Sequence, residues 1–178
     1  MAVGESSAQN GEAASRANIR LPGVQLELVK NIVAAGKPVI VLIMAGRPLA
    51  IPWIDEHVPA ILNTWHLGTR AGDAIADILS GADNPSGKLT VSFPRTVGQV
   101  PLFYSHKHTG RPFDPDNKFT SKYLDVPNDP LYPFGYGLSY TQFQYTRLKL
   151  SSPTIGFEEE LKISVQVKNT GSYEGEEV

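Results

Sequence analysis

The stretch "KPVIVLIMAG", from Lys37 to Gly46, decides how the rest of the chain is read. It is continuously apolar, rich in β-branched residues and closed by a glycine. Such a run is short for a buried helix and fits a strand covered on both faces, as in a parallel sheet. Immediately before it, "LPGVQLELVKNIVAAG" (21–36) carries Val24, Leu28 and Ile32, with Val29 and Val33 beside them, at helical spacing. Pro22 suits a first turn and Gly36 a stop. After it, "LAIPWIDEHVP" (49–59) predicts a short helical or irregular connection, and "AILNTWHLG" (60–68) a second buried strand. "TRAGDAIADILSG" (69–81) predicts a helix with Ala71, Ile75, Ile78 and Leu79 on one face and Gly81 as its cap. "NPSGKLTVSFP" (84–94) is a strong turn leading into a short strand. Helices alternating with buried strands imply βαβ units and a parallel sheet, whose ligands gather outside the carboxyl ends of the strands.

Regularity stops between Val97 and Tyr140, where prolines and aromatics dominate. A loop that long within a compact protein is usually functional or wraps a neighbour. Beyond it, "LKISVQVKNTGSYEGEEV" (161–178) alternates strictly. Leu161, Ile163, Val165 and Val167 face one way, as expected of a half-buried antiparallel strand. With "YTRLKLSS" (145–152) it predicts the first strands of a small β-sandwich. Such a sandwich needs about 100 residues, so the expectation is that the chain stops inside a domain. The opening "MAV" reads as the end of a buried strand, so the start is expected to be a cut as well.

Composition sets bounds. The 178 residues carry a net charge of −2, with 41% apolar and 19% charged side chains, enough to bury a core. The charge favours neither nucleic acid nor an anionic membrane. The absence of cysteine excludes disulfides, thiolate metal sites and a cysteine nucleophile. No apolar run approaches the roughly 20 residues a membrane span needs, and residues 2–18 do not read as a signal peptide.

The chemistry centres on "GESSAQNGEAASRANIRLPG" (4–23), which composition alone would class as a polar tail. Glu5 follows the glycine at a presumed strand end. Glu12 lies four residues before Arg16, and the bland reading of that pair is a solvated i,i+4 contact. "SHKHTGRP" raises a metal reading through His106 and His108, but no third ligand is suggested. Trp53 and Trp65 could stack on sugar rings; core packing is the default for Trp65. "GYGLSY" lacks phosphate-loop spacing and no helix follows it, so a turn is the better reading.

Taken in order, "VGE", "GEAASRANIRLPGVQLELV", "GKPVIVLIMAGRPLAI", "AILNTWHLGTRAGDAIADILSG", "DNPSGKLTVSFPRTVGQVPLFYSHKHTGRP", "YPFGYGLSYTQFQY" and "VQVKNTGSYEGEEV" resemble glycoside hydrolase family 3, in its bacterial periplasmic β-glucosidase type. The family combines a (β/α)8 barrel, an α/β sandwich domain and a fibronectin type III-like domain. The resemblance implies that residues 1–143 are the second half of the α/β sandwich, a partial, mostly parallel sheet with flanking helices that includes the long loop 97–140. Residues 144–178 would then begin the fibronectin type III-like β-sandwich.

It further implies a retaining, exo-acting β-glucosidase, with a β-xylosidase of the same family as an alternative. A non-catalytic scaffold, a carbohydrate-binding module and a flavodoxin-like module are the rival classes; the last lacks its phosphate-cradling glycines. Retaining glycosidases use two carboxyl groups about 5–5.5 Å apart, one as nucleophile and one as acid/base. The family's nucleophile is a barrel aspartate, absent here. Its acid/base glutamate, four residues before an arginine, maps onto Glu12, with Glu5 as second choice. Arg16 maps onto a loop-ordering or substrate-binding position. The acid must be protonated at working pH, so the Arg16 guanidinium is expected to point away from it. No metal and no cofactor are implied. The partners implied are a β-glucoside or oligosaccharide substrate and the missing barrel, and the location implied is periplasmic or secreted.

Overall fold

The computed structural model describes residues 1–108 and 110–178. They form two compact units, one comprising 1–75 and 89–136 and the other 76–88 and 137–178.

The first unit is built on a three-stranded parallel sheet. Its strands are β1 (Ala2–Gly4), β2 (Ile40–Met44) and β3 (Ala60–Asn63), in the order β1-β2-β3. The register pairs Gly4 with Met44 and Ile43 with Asn63. Two helices make the crossovers, α1 (Gln25–Ala34) between β1 and β2 and α2 (Pro52–His57) between β2 and β3. The apolar run of Lys37–Gly46 therefore supplies the central strand. Its β-branched residues suit that place, because they pack well on a pleated, covered surface. Val41 and Ile43 are completely buried. The opposite face of β2 is open among the described residues, with Ile40, Leu42 and Met44 half-buried or exposed. β3 is likewise only half-covered. Burial on both faces, expected from composition, is thus met on one face only.

The core joins Val3, Val29, Val41, Ile43, Leu49 and Ile54 with Phe93 and Leu131 from the irregular segment. On α1 the expected apolar stripe divides. Val29 is buried and Leu26 and Val33 pack on the core, while Val24, Leu28 and Ile32 face outward. At about 100° per residue the five positions spread over roughly half the helix circumference, wider than the stripe one sheet face covers. Pro22 precedes the helix rather than opening it, for the first helical residue is Gln25.

The strand expected within 84–94 is replaced by an isolated bridge of Phe93 with Tyr132. Phe93 N–H donates to Tyr132 O, and the N–H groups of Leu131 and Tyr132 donate back to Phe93 O. Leu89 and Tyr136 or Gly135 bond similarly. The proline-rich loop returns here as a partner for 89–93. Phe93 is wedged between Trp65 and Tyr132, at ring-centroid distances of 5.9 and 6.0 Å.

Helix α3 (Ala71–Ser80) forms as expected, with Ala71, Ile75 and Ile78 half-covered, but Leu79, expected on the same face, is exposed. In the second unit β4 (Phe143–Leu150) and β5 (Ile163–Asn169) pair antiparallel, with an irregularity between Thr146 and Lys149 where Arg147 takes a φ of 55°. The expected strand at 163–169 is present. Its apolar residues are not half-buried: Ile163, Val165 and Val167 are exposed, since a two-stranded ribbon has no second layer to cover them. The Asn84 turn works as a staple. Its Oδ1 accepts from Tyr140 N–H at 2.8 Å and Ser139 Oγ at 3.0 Å, and its Nδ2 donates to Glu174 O at 2.9 Å. "GYGLSY" serves packing, since a Cβ on Gly137 would stand 2.5 Å from Gly87 O.

Candidate functional site

The three parallel strands end together, so Gly4–Glu5, Met44–Arg47 and Asn63–His66 converge at one edge of the sheet. Glu5 N–H donates to Met44 O at 3.0 Å, extending the β1–β2 ladder by one bond. Backbone contact here is close: a Cβ on Gly4 would lie 1.9 Å from Met44 O, at a φ of 148°. Only glycine admits that approach. Gln25, at the start of α1, closes the same position by accepting from Gly4 N–H at 2.7 Å and donating to Gly4 O at 2.8 Å.

Glu5 leaves this edge pointing inward, and its side chain has no solvent exposure. One carboxylate oxygen takes the Arg16 guanidinium and the other takes Arg47 Nε at 3.0 Å. A buried charge requires such partners. Arg47 does more than neutralise Glu5. Its Nη2 donates to Gln9 O at 2.6 Å and to Ala14 O at 2.8 Å. Arg16 Nη2 donates to Arg20 O at 3.2 Å. Asn10 adds a further tie, accepting from Gly46 N–H at 2.8 Å through Oδ1.

These bonds grip the base of the loop and leave its tip free. Ala14 N–H reaches back to Gly11 O, closing a turn with Glu12 at its first corner. Gly11 has φ 93° and Ala13 has φ 60°, so Glu12 sits between two left-handed residues. An alanine there is strained, and such strain persists only where the surroundings impose it. Glu12 itself is exposed.

The two candidate carboxylates are thus separated by function of place. Glu5, the second choice, is sealed within the framework, whereas Glu12 is accessible. The i,i+4 pair of Glu12 with Arg16 is replaced by a pair of Arg16 with Glu5. Arg47, which sequence reasoning passed over, is the hub. Its signal lay in "GRP": a cation just past the end of an apolar strand has to find a partner.

Trp65 adopts φ 47° and packs on Phe93. Trp53 stacks on His57 at 4.2 Å, with Lys30 Nζ 5.7 Å from its ring centre. His106 and His108 lie exposed in the long loop. Among the described residues, no three His, Asp or Glu side chains gather as metal ligands would. Elsewhere in the unit Tyr132 donates its hydroxyl to Asp55 Oδ1 at 2.5 Å. Partial burial, reinforced by that bond and the Asp55 charge, pushes the Tyr132 hydroxyl above the ordinary phenol range.

The glycosyl hydrolase family 3 C-terminal domain matches residues 1–140. The chain belongs to glycoside hydrolase family 3. It is 53% identical over 175 residues to a periplasmic beta-glucosidase of Salmonella typhimurium, covering 97% of this chain and 23% of that protein. A beta-xylosidase of Formosa agariphila is 47% identical over 178 residues, covering 100% and 24%. The crystal structure of beta-glucosidase from Listeria innocua in complex with glucose superposes with a TM-score of 0.88 at 47% identity, over 96% of this chain and 24% of that one. The family 3 chain described here therefore spans about a quarter of the length of the relatives it matches, in their C-terminal part. None of its helices is long and apolar enough to cross a membrane, among the described residues.

Proposed function

We propose that this chain supplies the general acid/base of a retaining, exo-acting β-glucosidase that hydrolyses terminal, non-reducing β-D-glucosyl residues, and that Glu12 is that residue. The observation carrying the proposal is the contrast between the two glutamates: Glu5 is buried on two arginines, and Glu12 stands exposed at the tip of a clamped turn. A proton-transfer group must reach the substrate, and a carboxylate sealed between two guanidiniums with no solvent exposure cannot.

In the first step the protonated Glu12 carboxyl gives its proton to the glycosidic oxygen, while a carboxylate outside this chain attacks the anomeric carbon. In the second, the Glu12 carboxylate takes a proton from water as that water displaces the enzyme carboxylate. The nucleophile belongs to the barrel that the family resemblance implies. Arg16 orders the loop, and a substrate-lining role for it is subordinate, since its guanidinium turns to Glu5. Residues 1–143 are assigned to the α/β sandwich domain and 144–178 to the opening of a fibronectin type III-like domain. The periplasmic name of the Salmonella relative supports a periplasmic or secreted setting. The Formosa relative keeps β-xylosidase as the second reading.

The test uses the full-length enzyme. Glu12→Gln should abolish turnover of glucosides with poor leaving groups and spare the first step for good ones. With Glu12→Ala, azide should restore the second step by attacking the glycosyl-enzyme in place of activated water. Kinetics unchanged by both substitutions would refute the assignment. Comparing aryl β-glucosides with aryl β-xylosides separates the two sugar readings.

A further inference from the structure

We infer that Arg47 is a positioning residue for the acid/base step, a clamp that sets where Glu12 stands. The inference rests on Glu12 being the acid/base. A single nitrogen of Arg47 holds the carbonyls of Gln9 and Ala14, which lie on opposite limbs of the loop. The limbs are therefore fixed within two hydrogen-bond lengths of each other, with Glu12 projecting between them. The other end of the guanidinium is fixed by Glu5, whose side chain is fully buried and is held independently by Arg16. Arg47 lies three residues past the end of the central strand, and Gly46 N–H adds its bond to Asn10. The loop's geometry is thus referred to the central strand of the sheet.

Only arginine can do this. Its planar fork offers several donors in fixed directions, so it can serve a carboxylate and two carbonyls together. A lysine ammonium is one compact charge at the end of a flexible stem. The Glu12 turn also holds Ala13 at a φ of 60°, a conformation that a non-glycine residue keeps only while its surroundings impose it. Proton transfer demands close placement, and a displacement of about 1 Å can cost on the order of 100-fold in rate.

The experiment measures Arg47→Met, Arg47→Lys and Glu12→Gln in the full-length enzyme on aryl β-glucosides with poor and good leaving groups, with amide hydrogen exchange over residues 10–14. Arg47→Met is expected to lose on the order of 100-fold in kcat on poor leaving groups, much less on good ones, with KM little changed and faster exchange in the loop. Arg47→Lys should fall between, because an ammonium can retain Glu5 while releasing one limb; if Arg47→Met does not fold, this variant carries the test. Adding Glu12→Gln to either Arg47 variant should cost no more than Glu12→Gln alone, as expected of residues acting through one another. Equal losses on all leaving groups, or multiplicative losses in the double variant, would overturn the inference. If Glu12→Gln alone shows no leaving-group dependence, the acid/base assignment is what fails.

Discussion

Replacing Glu5 by glutamine probes the framework without touching the loop tip. The substitution keeps the volume and one carbonyl acceptor but removes the charge between Arg16 and Arg47. Breaking a buried pair by removing one partner costs about 3–5 kcal/mol. Two features place Glu5→Gln at or below the bottom of that range. The arginine side chains keep 19% and 21% exposure, so they stay partly hydrated, and both retain backbone carbonyl partners. An expected loss of about 2–3 kcal/mol, with a urea slope of about 2 kcal/mol/M, lowers the unfolding midpoint by about 1–1.5 M. Trp53 and Trp65 both lie in the first unit, so tryptophan fluorescence follows the unit that contains the clip. A midpoint within about 0.3 M of wild type, at unchanged slope, would refute the claim that this carboxylate holds the sheet edge together. A cycle with Arg47→Met then isolates the pair, and contacting residues should show a clear coupling energy.

Glu12→Gln, by contrast, should shift stability by no more than about 0.5 kcal/mol, as surface substitutions do; the same urea titration checks it. Phe93→Ala removes a side chain that is 1% exposed and ties the irregular segment to the core, so a loss of about 3–5 kcal/mol is expected in the tryptophan-detected transition. The Tyr132 hydroxyl should remain protonated well beyond pH 10 when tyrosine absorbance is titrated. Its pKa is raised in the folded state relative to the unfolded one, so the folded state binds more protons above pH 10. Stability should fall as pH rises past about 10, and this slope should weaken in Tyr132→Phe. Gly4→Ala should be severely destabilising, because its Cβ would collide with Met44 O; the measure is loss of the cooperative fluorescence transition.

Local pattern was enough to read the parallel strands, the helices between them and the alternating β5, because strand and helix periods are written in neighbouring residues. The same is true of the Asn84 turn, whose chemistry is local. Family motifs brought the eye to Glu5, Glu12 and Arg16. What local pattern could not rank was Glu5 against Glu12. Both are glutamates among small residues, and their difference lies in Arg47, 42 positions along the chain from Glu5. Hydrogen bonds at that separation depend on which strand ends lie side by side, and only the closed sheet decides that. The same reason explains why no strand forms within 84–94: Phe93 is bridged by Tyr132, 39 residues later, and a propensity window sees only one partner at a time. Burial followed suit. Apolar residues on β2, α1 and β5 announced themselves in the sequence, but which of them lie in the core depends on the layers that pack against them. The sequence by itself determined most of the elements, the family and the short list of carboxylates. The tertiary structure decided that one carboxylate is a buried anchor and the other is held out to solvent, because burial and charge pairing belong to the assembled sheet edge and not to any stretch of chain.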